Sequence, residues 1–130
     1  MKILIVEDEF VSRLVLQKIL SSFGESHIAK DGLEALEALK VALGRNAPYD
    51  IVTLDIMMPN LNGASTLRAI REIEEKSSSD HKVNIIFTSS LGMHESELPP
   101  LDSRTEVYLQ KPITTASIKS ALKSLQLSSC

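Results

Sequence analysis

The chain has 130 residues, 43% of them hydrophobic and 24% charged, which excludes a disordered tail, a collagen-like repeat and a disulfide-stapled scaffold. Lys and Arg number 14 against 17 Asp and Glu, for a net charge of −3, a poor basis for electrostatic nucleic-acid binding. Cys130 has no second cysteine to pair with, and no apolar run nears the ~20 residues that span a bilayer. A single cytoplasmic domain over residues 1–130, with no output domain and no membrane insertion, is therefore expected.

Met1 to Val6 reads as a short apolar strand covered on both faces, ending at Glu7-Asp8-Glu9. A helical period follows through Phe10, Leu14, Leu16, Ile19, Leu20 and Phe23, stopped by Gly24. Ser26 to Lys30 is the second strand, and Asp31-Gly32 opens a helix carrying Leu33, Leu36, Leu39, Val41 and Leu43 up to Gly44. Tyr49 to Leu54 is the third strand, with Asp55 at its tip and Ile56 to Asn60 as a loop. Asn62-Gly63 leads into a helix with Leu67, Ile70 and Ile73 on one side. Val83 to Phe87 is the fourth strand, ending in Thr88-Ser89-Ser90. Pro99-Pro100 permits only a short helix before the fifth strand, Glu106 to Leu109. A last helix spans about Thr115 to Gln126, with Ile118, Leu122 and Leu125 inward.

Strands alternating with helices define an α/β domain with a parallel sheet and helices on both faces. In such a sheet all C-terminal strand tips share one edge, where ligands bind. Here that edge collects Glu7 and Asp8, Asp55, Thr88 and Lys111. Three converging carboxylates repel, each pair at ~4 Å by on the order of 4 kcal/mol at an effective dielectric near 20. A positive charge must offset them, and hard oxygen donors select Mg²⁺. A carboxylate facing Mg²⁺ and the Lys111 ammonium is suited to attack phosphorus and become an acyl phosphate. Thr88 can then hydrogen-bond a phosphoryl oxygen that is absent before reaction.

These motifs together resemble the receiver domain of two-component response regulators. The residues that carry the resemblance are Ile5-Val6-Glu7-Asp8-Glu9, Asp50-Ile51-Val52 leading to Asp55-Ile56-Met57-Met58-Pro59, Gly63, Thr88-Ser89, and Tyr108-Leu109-Gln110-Lys111-Pro112. The resemblance spans essentially the whole chain. It implies a flavodoxin-like, doubly wound (βα)5 fold with a five-stranded parallel sheet in the order 2-1-3-4-5. It implies that Asp55 accepts a phosphoryl group from a phosphohistidine on a sensor histidine kinase or phosphotransfer protein. Mg²⁺ would be ligated by Asp8, Asp55 and the Met57 backbone carbonyl, with Glu7 acting through water. Lys111 would pair with the phosphate, and the Lys111–Pro112 bond would be cis. Thr88 and Tyr108 would form the switch pair, remodelling contacts with a downstream protein target. No direct nucleic-acid contact is expected, and the chain would be a monomer or weak dimer.

Departures from the family pattern are Arg104-Thr105-Glu106 before the fifth strand and the Pro99-Pro100 break. Ser90 and Met57 occupy positions where the family tunes phosphate lifetime. His27, His81 and His94 show no ligand spacing and read as surface or loop residues. Three other functions are less compatible. An aspartate-based phosphohydrolase needs a second acid where this chain has Met57. A flavin or nucleotide module needs a Gly/Ser/Thr-rich phosphate loop where this chain has Glu7-Asp8-Glu9-Phe10. A phosphorylation-independent scaffold would not need the full residue set.

Overall fold

Side chains alternate between the two faces of a strand, so a parallel sheet buried on both sides needs two apolar sets, each with its own helices. The computed structural model describes residues 1–57, 61–77, 80–89 and 101–127. Strands β1 (Lys2–Val6), β2 (Glu25–Ala29), β3 (Ile51–Asp55), β4 (Asn84–Ser89) and β5 (Glu106–Gln110) are joined through helices α1 (Phe10–Leu20), α2 (Gly32–Gly44) and α3 (Gly63–Lys76), and α4 (Thr115–Ser124) follows β5. All strands pair in parallel in the order β2-β1-β3-β4-β5, as expected. The segment expected to form a short helix at Pro99-Pro100 lies outside the described residues, as do Met58, Pro59, Ser90, His94 and Cys130.

On one face Leu4, Val6, Val52, Leu54, Ile85 and Phe87 pack with Ala35 and Leu39 of α2 and Leu67 and Ile70 of α3. On the other, Ile3, Ile5, Ile51 and Ile86 pack with Leu16 and Leu20 of α1 and Ile118 and Leu122 of α4. Each helix start is fixed by a side chain that accepts first-turn N–H groups: Glu9 for α1, Asp31 for α2, Asn62 for α3 and Thr114 for α4.

The expected inward residues of the first two helices need correction. In α1, Leu16 and Leu20 are buried, whereas Phe10 is 62% exposed and Leu14 also faces out. In α2 the buried positions are Ala35, Leu39 and Ala42, and Leu33 and Val41 are exposed. The buried stripe of α2 combines Leu39 with two alanines, so the positions of the leucines alone do not mark it.

Far from the acidic edge, Arg71 of α3 ties three segments together. Its guanidinium donates to Glu74 Oε1 at 2.7 Å, to Val83 O at 2.9 Å, and to Glu106 Oε2 at 2.9 and 3.2 Å. Both carboxylates are buried, and Glu74 Oε2 also accepts the Val83 N–H at 2.7 Å. Arg71→Met would strand two buried carboxylates and should cost about 3–5 kcal/mol in urea unfolding. A loss below about 1 kcal/mol would show the network to be dispensable.

Candidate functional site

Register builds the site. Val6 pairs with Leu54, so Glu7 comes level with Asp55, and Asp55 pairs with Thr88. Thr88 pairs with Leu109, and Lys111 lies two residues further on the same face. The ladder continues past the strand ends: Glu7 N–H donates to Ala29 O, Ile56 N–H to Thr88 O, and Lys111 N–H to Ser89 O at 2.7 Å. The strands therefore hold these side chains in place. The Lys111–Pro112 peptide is cis.

The Lys111 ammonium lies between two carboxylates, donating to Glu7 Oε1 at 2.8 Å and to Asp55 Oδ2 at 3.0 Å. Glu7 is fully buried, Asp55 is buried, and Asp8 stands exposed beside them. One carboxylate oxygen from each of the three lies within 4.8 Å of the others, a set of hard donors that fits a divalent cation. Met57 is exposed, and its backbone N–H donates to Asp55 Oδ1 at 3.1 Å. Behind Asp55, Gly63 leaves room for the start of α3. A Cβ there would come within 2.9 Å of Ile56 Cα and 3.2 Å of the Asp55 carbonyl oxygen.

Two elements were not read from the sequence. Glu9 is the α1 cap, its carboxylate accepting from Val11 N and Ser12 N. Arg13 reaches back to the carbonyls of Glu7 and Asp8 at 3.4 Å, steadying the β1–α1 turn. Glu9 carries no standard capping signal, since the sequence pattern places Ser, Thr, Asp or Asn at the cap and Glu three residues later.

Thr88 shares the face of Asp55 and Lys111, whereas Tyr108 points to the opposite face. There its ring lies 5.6 Å from that of Phe87. The two residues are thus neighbours across the sheet plane. His27 and His81 flank Tyr49 at the far edge: His27 Nδ1 is 2.7 Å from the Tyr49 hydroxyl, and His81 Nε2 is 2.7 Å from its carbonyl.

Burial pushes the Glu7 carboxyl up, against the hydrogen bond from Lys111, with the Asp55 charge adding to the rise. Burial opposes the Lys111 charge, but hydrogen bonds to Glu7 and Asp55 outweigh it and raise the ammonium above the ordinary 10.5. A raised lysine contributes stability that is complete below about 10.5 and lost as pH climbs through the higher folded value. Above about pH 10.5 the wild-type melting temperature should therefore fall more steeply than that of Lys111→Met. Parallel curves would refute the coupling.

A doubly wound sheet with an acidic and cationic edge of this form is shared with a known protein family. The family profile described as response regulator receiver domain matches residues 3–123. The chain belongs to that family, and its function is that of a receiver in two-component phosphorelay signalling. It is 34% identical to hybrid signal transduction histidine kinase L of Dictyostelium discoideum over 94% of this chain, which spans 7% of that kinase's length. The receiver domain of histidine kinase CKI1 from Arabidopsis thaliana, complexed with Mg²⁺ and BeF₃⁻, is 30% identical with a TM-score of 0.62, over 68% of this chain and 64% of that one. The receiver domain of sensor histidine kinase PA1611 from Pseudomonas aeruginosa, with magnesium in its active-site cleft, is 24% identical with a TM-score of 0.75, over 96% and 97%. Among the described residues no helix is long and apolar enough to cross a membrane.

Proposed function

We propose that Asp55 is the phosphoryl acceptor and that its donor is a phosphohistidine on a histidine kinase or phosphotransfer protein. One observation carries this reading: the Lys111 ammonium is shared by Glu7 and Asp55, beside an oxygen cluster that Asp8 completes. An Asp55 carboxylate oxygen attacks phosphorus, the P–N bond of the donor breaks, and a P–O bond forms. The bonding pair stays on the ring nitrogen, and a proton already on the other nitrogen makes the leaving group neutral imidazole. Lys111 neutralises charge on the phosphoryl oxygens as they approach two acidic neighbours.

Asp8, Asp55 and the Met57 carbonyl would hold Mg²⁺, with Glu7 acting through water. The bound ion supplies charge neutralisation at the phosphoryl oxygens. Thr88, level with Asp55, supplies a hydroxyl to the phosphoryl group, and Tyr108 answers on the opposite face. The phosphoryl group favours only the conformer that contacts it better, which makes the domain a population switch. The chain is then a signalling domain and not an enzyme. It acts in the cytoplasm as a monomer or weak dimer, through a protein target and without direct nucleic-acid contact. Residues 1–130 form one receiver domain in this reading.

Incubation with Mg²⁺ and acetyl phosphate, followed by intact-mass measurement, should add one phosphoryl group. Asp55→Asn and a chelator should each abolish the gain. Labelling that survives Asp55→Asn would move the acceptor elsewhere.

A further inference from the structure

Two residues before Asp55 on the same face of β3, Thr53 carries a buried hydroxyl, and the residue is 1% exposed. Its Oγ1 is the one fully buried side-chain polar atom with no hydrogen-bond partner among the described residues. Ile5 of β1 and Ile86 of β4 flank it in register, and Val107 lies beyond Ile86. A valine would fill this aliphatic rung with the same shape and without burying an unpaired hydroxyl, which is destabilising. Packing therefore does not account for the threonine.

The rung immediately above holds Glu7, Asp55 and Thr88. One rung is two residues, about 6.6 Å along a parallel strand, and neighbouring strands lie about 4.8 Å apart, so diagonal neighbours are about 8 Å apart, a gap that only a long side chain spans. In the rung below, Ile3 is apolar and the Asn84 amide already donates to the Asp50 carbonyl; in the rung above, Thr88 has a short side chain, which leaves the longer Glu7 as the partner to consider. Glu7 now takes one hydrogen bond from Lys111 at 2.8 Å and one from Glu9 N–H at 3.2 Å. Lys111 is the contact that phosphorylation must disturb, because it also holds Asp55.

We propose that Thr53 is a positioning residue for the phosphorylated state, acting through Glu7. As the Lys111 ammonium turns from Glu7 toward the phosphoryl oxygens, the Thr53 hydroxyl donates to the Glu7 carboxylate and keeps it oriented. The hydroxyl is unsatisfied before phosphorylation and satisfied after it. That difference biases the equilibrium toward the phosphorylated conformer. The inference rests on the reading of Asp55 as acceptor.

The test compares wild type, Thr53→Val and Thr53→Ser, titrated with beryllofluoride in the presence of Mg²⁺ and followed by ¹⁹F NMR. Melting temperature is measured on the same proteins without ligand. Thr53→Val should melt at or above wild type yet bind beryllofluoride about fivefold more weakly, while Thr53→Ser keeps wild-type affinity. Equal affinity of wild type and Thr53→Val, or equal loss in Thr53→Ser and Thr53→Val, would overturn the role of the hydroxyl. A wild type that acetyl phosphate fails to label would instead overturn the assignment of Asp55, so the two failures are told apart.

Discussion

The ammonium of Lys111 lies between two buried carboxylates, and the acidic edge depends on that arrangement. Glu7 and Asp55 would repel each other at this separation in a partly desolvated setting, and one shared cation makes their approach tolerable. The arrangement holds the carboxylates close without neutralising them fully. It leaves Asp8 exposed at the mouth and the three oxygens near enough for a divalent ion. A site of this kind is under electrostatic tension by construction. The arrival of a doubly charged phosphoryl group redistributes that tension instead of creating it.

The two ends of the sheet are built on different principles. At the acidic edge, charges outnumber their partners and a single lysine serves two carboxylates. At the opposite edge, Arg71 donates through Nε and Nη2 to one oxygen of Glu106 and through its other N–H groups to Glu74, the Val83 carbonyl and Thr105, which saturates its guanidinium. The first arrangement is responsive to added charge, and the second fixes α3 against the root of β5. A rigid root is useful to a switch, because displacement at the tip is then not dissipated by sliding of the whole strand.

Much of this was legible in the sequence, and the reasons are local. Strands β1, β3 and β4 announce themselves as short apolar runs, and the acidic residues, Thr88 and Lys111 each fall at a strand end. Parallel topology then brings them to one edge without knowledge of side-chain packing. Helix faces were less legible. In α2 the buried stripe is Ala35, Leu39 and Ala42, and hydropathy ranks the exposed Leu33 above either alanine. In α1, Phe10 is the first helical residue and has no sheet beneath it to cover its ring. The pairing of Arg71 with Glu106 was also hidden, since 35 residues separate them and neither position carries a local signal. In the sequence Glu106 reads as a strand start and part of a departure from the family pattern; its role is visible only through its partner.

Glu7 and Lys111 are 104 residues apart in the chain, just past the ends of β1 and β5. A polypeptide emerging from the ribosome therefore carries an uncompensated pair of carboxylates until β5 docks. Competence for signalling is thus tied to completion of the fold, and fragments lacking β5 lack the cation around which the reactive edge is organised.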